Sequence, residues 1–83
     1  MIDDVVVDTL LDELGNSIGD RLKAALAERK QLGIDRYGKP LRFSMKHIGG
    51  KDLEEEILDA IVYSRHIGRL DICRELVHIY EYL

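Results

Sequence analysis

Pro40 is the single proline of this 83-residue chain, and it closes a Tyr37-Gly38-Lys39-Pro40 turn. A proline disfavours helix at the residue before it, so a continuous helix through this point is not expected. On both sides of the turn, apolar residues recur at helical spacing. The pattern predicts an all-α chain with one irregular stretch in its middle. The first helix is expected from about Asp3 to Leu14, capped by Asp3 or Asp4 and stopped by Gly15-Asn16. Its apolar positions are Val6 or Val7, Leu10, Leu11 and Leu14, although three consecutive valines favour strand. The second is expected from about Ser17 to Leu32, with Ser17 and Asp20 as a capping box and Gly33 as the left-handed terminus. Its stripe is Ile18, Leu22, Ala25, Leu26 and Leu32.

Residues 34–51 form the long loop, with Gly49-Gly50 as a flexible joint. The third helix is expected to start at Asp52, with Glu55 as reciprocal capping partner, and to stop at Gly68. Leu53, Ile57, Ala60, Ile61, Ser64 and Ile67 make its inner stripe. The fourth is expected from Asp71 to Leu83, with Ile72, Leu76, Ile79, Tyr80 and Leu83 inward. Together these predict one domain over residues 1–83: a small bundle of about four helices with a long basic loop between the second and third. A chain this short buries only about 60–65% of its unfolded surface. Completion of the bundle by oligomerisation is therefore expected.

Charge is unevenly placed. Residues 1–19 carry −5, residues 20–51 carry +6 and residues 52–83 carry −5. Net charge of −4 argues against a surface that clings throughout to nucleic acid or anionic lipid, and the acidic flanks repel DNA phosphates. No apolar run approaches the ~20 residues needed to cross a bilayer. No charged-then-apolar leader follows Met1, and the lone cysteine, Cys73, has no internal disulfide partner. A cytoplasmic, reduced protein is expected.

Two clusters carry candidate chemistry. Spacings of four and three place Asp52, Glu56 and Asp59 on one side of a helix, with Glu55 close by. Such carboxylates suit a hard divalent cation such as Mg²⁺, which keeps several waters. Acids in a first helical turn are also favoured by the helix dipole with no metal at all, but Asp59 lies beyond that turn. The second cluster is basic: Arg29, Lys30, Arg36, Lys39 and Arg42 straddle the Gly/Pro turn. Arginine pairs bidentately with phosphate and lysine adds a point charge, although a solvated basic face reads the same way. Tyr37 is placed either to stack on a base or to plug the loop. His47, His66 and His78 share no metal-ligand spacing, and Cys73 reads as a small buried hydrophobe.

Arg29-Lys30-Gln31-Leu32-Gly33-Ile34-Asp35-Arg36-Tyr37-Gly38-Lys39-Pro40-Leu41-Arg42, followed by a helix containing Glu56-Ile57-Leu58-Asp59, resembles a short, phage-borne group of all-α proteins. In that group an (R/K)YG-x-(P)L turn precedes an E-x-x-D helix that continues to a V-Y-x-R stretch. The group is similar to the MazG-like nucleoside triphosphate pyrophosphohydrolases. The resemblance implies Mg²⁺-dependent cleavage of a nucleotide to monophosphate and pyrophosphate, in a homo-oligomer. It implies Glu56 and Asp59 as metal ligands, and Glu55 or Glu28 as the residue that completes the shell or orients water. It implies Lys30, Arg36, Lys39 and Arg42 as contacts to substrate phosphates. The family's E-x-x-E on the preceding helix is reduced here to Glu28, with Gln31 three residues on. That departure keeps a second expectation open: a non-catalytic, phage-type helical interaction module that binds a host protein or a nucleotide.

Overall fold

The computed structural model describes residues 4–83. Four helices are present: α1 (Val6–Leu14), α2 (Asp20–Tyr37), α3 (Gly50–His66) and α4 (Leu70–Tyr82). The described residues form no strand beyond one isolated antiparallel bridge, Val5 with Arg42, and the chain is all-α. It divides into two compact units, residues 1–46 and residues 47–83.

In the first unit α1 packs on α2, and the segment before α1 is clasped to the loop after α2. The Val6 N–H donates to the Leu41 carbonyl at 3.0 Å, and the Phe43 N–H donates to the Asp4 carbonyl at 2.9 Å. The Ser44 hydroxyl donates to the Asp4 carboxylate at 2.6 Å. Val5, in the middle of this clasp, is buried. Asp4 therefore ties down the loop and does not cap α1, whose N-cap is Val5 without a side-chain cap bond. The alternative cap, Asp3, lies outside the described residues.

α2 differs from the sequence expectation at both ends. Ser17 is taken up in the turn that closes α1, its N–H donating to Leu14 at 2.8 Å, so α2 starts at Asp20 behind Gly19. At the other end the helix runs through Gly33 to Tyr37. The left-handed residue is Gly38, at φ +79°, and its N–H donates to the Ile34 carbonyl at 2.7 Å. An internal glycine costs about 1 kcal/mol, whereas the stop at Gly38 is reinforced by Pro40 two residues later. The Gln31 amide, bonded to Asp35 at 2.9 Å, bridges the weak point. The loop thus shrinks to residues 38–49, and Arg36 belongs to the helix.

The packed face of α2 is also rotated. Lys23, Leu26, Lys30, Gly33 and Ile34 are half-buried, while Leu22, Ala25 and Leu32 are exposed. The Lys30 ammonium reaches Asp8 of α1 at 2.8 and 3.1 Å, and its stem lies along the helix contact.

The second unit is a helical hairpin. α3 begins two residues earlier than expected, and Asp52 is its third helical residue, accepting the Gly49 N–H at 2.8 Å. Glycine at the N-cap has no side chain to return that bond, so the capping box is one-sided. The turn at Gly68 (φ +81°) forms as expected. Gly68 N–H donates to Arg65 at 3.1 Å and Arg69 N–H to Ser64 at 2.8 Å, the Schellman arrangement. α4 then packs back along α3. Ser64 and Cys73 are buried, and Ile57, Ala60, Ile61, Leu76 and Tyr80 are half-buried. Ser64 is satisfied by donating to the Ile61 carbonyl at 2.9 Å. Leu53, Ile67, Ile72, Ile79 and Leu83, which belong to the expected inner stripes, are exposed.

Arg69 and Asp71 make a bidentate pair at 3.1 and 2.9 Å. The hydrogen bond from Arg69, with help from the Ile72 N–H, holds the Asp71 carboxyl down to about 2. A depressed folded pKa adds stability above the unfolded value and loses it as pH falls from near 4 toward 2. An Asp71→Asn variant should therefore show a shallower loss of α4 protection than the wild type over that window, measured by hydrogen exchange. Gly38→Ala should lower stability by about 1 kcal/mol in urea unfolding, because φ +79° strains any residue with a Cβ.

Candidate functional site

Each unit presents one arrangement with chemical content. In the first, an open cavity of about 150 Å³ lies along α2, at the edge of its packed face, lined by Arg29, Leu32, Gly33, Arg36 and Tyr37. Helical geometry explains it. Residues 29, 32, 33 and 36 are one and two turns apart and share a face. Gly33 contributes no side chain, and a Cβ there would meet nothing within 4 Å, so the floor is open. The Arg36 guanidinium sits 6.0 Å from the centroid of the Tyr37 ring. Tyr37 is 72% exposed, so it does not plug the loop. Among the described residues neither Arg29 nor Arg36 has a carboxylate partner. Guanidinium groups can pair with anions and an exposed aromatic ring can stack on a planar group, so this is the face of the first unit with chemistry to offer.

The other expected phosphate contacts fall elsewhere. Lys30 is engaged with Asp8, both side chains being about one-third exposed. Lys39 and Arg42 are exposed in the loop after Gly38, and Arg42 takes part in the backbone bridge with Val5. Arg29 belongs to the basic cluster read from the sequence, though not to the phosphate contacts the resemblance implies, and Gly33, expected as the terminus of the second helix, lines the cavity instead. The seven-residue spacing of Arg29 and Arg36 was the available signal, but it counts only if α2 continues through Gly33.

The second arrangement is the acidic face of α3. Asp52, Glu54, Glu55, Glu56 and Asp59 are all exposed. Asp52 is spent on the helix start. Glu56 and Asp59 lie one turn apart with no cation partner among the described residues. Glu55 is beside them on the same helix, and Glu28 is exposed on α2, in the first unit. Among the described residues no group of three or more His, Cys, Asp or Glu side chains is close enough to hold a metal. The pair on α3 fits Mg²⁺ only in its substrate-bound habit, with one or two carboxylates and the remaining positions filled by water and phosphate.

No protein-family model, curated protein or solved structure matches this chain. Among the described residues no helix is long and apolar enough to cross a membrane.

The two kinds of cation are separable by stability. Lys30→Met should cost up to ~1 kcal/mol in urea unfolding, because it breaks the only interhelical ion pair described in the first unit. Arg36→Gln should stay within about 0.5 kcal/mol, as expected for an exposed side chain whose one described contact is with the exposed Tyr37 ring.

Proposed function

We propose that this chain is a MazG-like, Mg²⁺-dependent nucleoside triphosphate pyrophosphohydrolase. The observation that carries the reading is the exposed, unpaired Glu56 and Asp59 one turn apart on α3, in the helix that follows the Arg36-Tyr37-Gly38-x-Pro40-Leu41 turn. Helix dipole and capping account for Asp52 but not for Asp59, which lies beyond the first turn. The Arg29–Arg36 cavity supports the same reading. Guanidinium groups meet phosphate oxygens in parallel pairs, and the Tyr37 ring offers a face to a base.

The roles divide by unit. Arg29 and Arg36 bind phosphate, with Lys39 and Arg42 adding charge from the adjoining loop. Glu56 and Asp59 hold the metal, and Glu55 accepts a hydrogen bond from the attacking water. Glu28 is the remaining candidate for that last role. Mg²⁺, when bound, neutralises phosphate charge and makes a coordinated water more acidic. The reading carries a cytoplasmic setting and a homo-oligomer.

A second reading rests on a specific observation: no third donor joins Glu56 and Asp59 among the described residues. A non-catalytic helical module that binds a nucleotide or a host protein needs none. The two readings part in one assay, Mg²⁺-dependent pyrophosphate release across canonical and modified nucleoside triphosphates. The enzyme reading expects turnover that Asp59→Asn reduces by on the order of a hundredfold with unchanged helicity. Binding without turnover, weakened by Arg36→Gln and indifferent to Asp59→Asn, would favour the module.

A further inference from the structure

The hairpin of α3 and α4 has two flanks beside its helix contact, and they differ in charge. On α3 the contact is centred on Ser64, with Ile57, Ala60 and Ile61 half-buried around it. On α4 it is made by Cys73, Leu76 and Tyr80. At about 100° per residue, Leu53, Glu56, Tyr63 and Ile67 lie to one side of the α3 contact, with Asp52 and Asp59 at the outer margin. On α4, Ile72, Ile79 and Leu83 lie to one side, with Glu75 at the margin. The sense of rotation reverses between antiparallel helices, so the two sets open onto the same flank.

The apolar members of that flank are uncovered. Leu53, Tyr63, Ile67, Ile72, Ile79 and Leu83 are all exposed, Ile67 at 71%. The formal charges beside them are all negative. Lys51, Arg65 and Arg74 fall on the opposite flank by the same geometry, and Arg69 lies in the turn, paired with Asp71. His66 and His78 lie on the far sides of their helices. Asp52, Glu56, Asp59 and Glu75 have no cation partner among the described residues. The opposite flank mixes signs, with Glu54 and Glu81 beside Arg65 and Arg74.

An apolar strip between two acidic margins selects its occupant. A second copy brought to this flank sets acid against acid, and so does a nucleic-acid backbone or an anionic lipid surface. A helix whose apolar seam is bordered by Lys and Arg does the opposite. It takes the strip out of water and neutralises both margins. We propose that this flank is the docking site for a basic amphipathic helix of another protein, laid along the furrow between α3 and α4. From Leu53 to Ile67 the strip runs for about 21 Å, which about 14 residues of the partner helix cover. Its apolar seam meets Leu53, Ile67, Ile72 and Ile79. Its cations meet Asp52 and Glu56 on one margin and Glu75 on the other.

Docking itself needs neither nucleotide nor metal. It has one further consequence that rests on the pyrophosphohydrolase reading: a docked cation holds Glu56 and keeps Mg²⁺ from it, so partner and metal exclude each other.

The test is fluorescence anisotropy of a labelled synthetic helix of leucine and lysine, with leucine at the heptad seam, titrated with the full chain. The buffer holds no Mg²⁺ and no nucleotide, so the result is independent of turnover. Saturable binding in the micromolar range is expected. Ile79→Ser should weaken it about tenfold with unchanged dichroism, whereas Leu58→Ser, on the opposite flank and similarly exposed, should leave it unchanged. Glu75→Lys should weaken it about fivefold and strengthen binding of the matching leucine–glutamate helix. Absence of saturable binding would overturn the proposal. Equal binding of a peptide with the same residues in shuffled order would do so too, since charge alone would then explain the complex. So would equal binding of the leucine–glutamate helix to the wild type, or an equal loss in Leu58→Ser and Ile79→Ser.

Discussion

Burial is the scarce quantity in this chain, and the rest of the structure follows from how little of it there is. Among the described residues only Val5, Ser64 and Cys73 are buried, and none is fully enclosed. Each stands at a crossing point. Val5 sits in the clasp between the segment before α1 and the loop after α2, and Ser64 and Cys73 sit where α3 meets α4. Around these points the chain relies on polar fasteners: Lys30 with Asp8, Ser44 with Asp4, Gly49 with Asp52, and the Schellman turn at Gly68. Such bonds contribute about 1 kcal/mol each and specify geometry more than they supply stability.

The same scarcity explains what the surfaces look like. α2 spends its packed face partly on lysine stems, and its exposed positions carry Leu22, Leu32 and two arginines with no carboxylate partner among the described residues. On α4, Cys73, Leu76 and Tyr80 turn toward α3, while Ile72, Ile79 and Leu83 stay exposed.

Much of this was legible in the sequence. Four helices, the stop at Gly68 and the exclusion of helix at Pro40 follow from local chemistry: glycine at positive φ, proline's ring, and apolar spacing. The end of α2 was misread because two glycines compete for one role. Gly33 fits the local pattern, but Gly38 has the proline behind it, and the tertiary tie of Lys30 to Asp8 carries the helix past the weaker stop. The inner stripes were overassigned for a different reason. Periodicity identifies every apolar position on an arc but not which neighbour covers it, so Ile72, Ile79 and Leu83 read as inward although α3 covers only Cys73, Leu76 and Tyr80. The carboxylate pair Glu56 and Asp59 was visible by spacing. The cavity of Arg29 and Arg36 was not, because it exists only once Gly33 is helical.

From a core this sparse we propose that the chain draws a large part of its stability from contacts beyond a single copy. Urea unfolding followed by far-ultraviolet dichroism over a hundredfold range of protein concentration tests it directly. Mass action predicts that the midpoint rises with concentration, by roughly 0.5–1 M urea per tenfold for a dimer of this size. A midpoint that does not move across that range would contradict the claim and would mean that each chain is stable on its own sparse core.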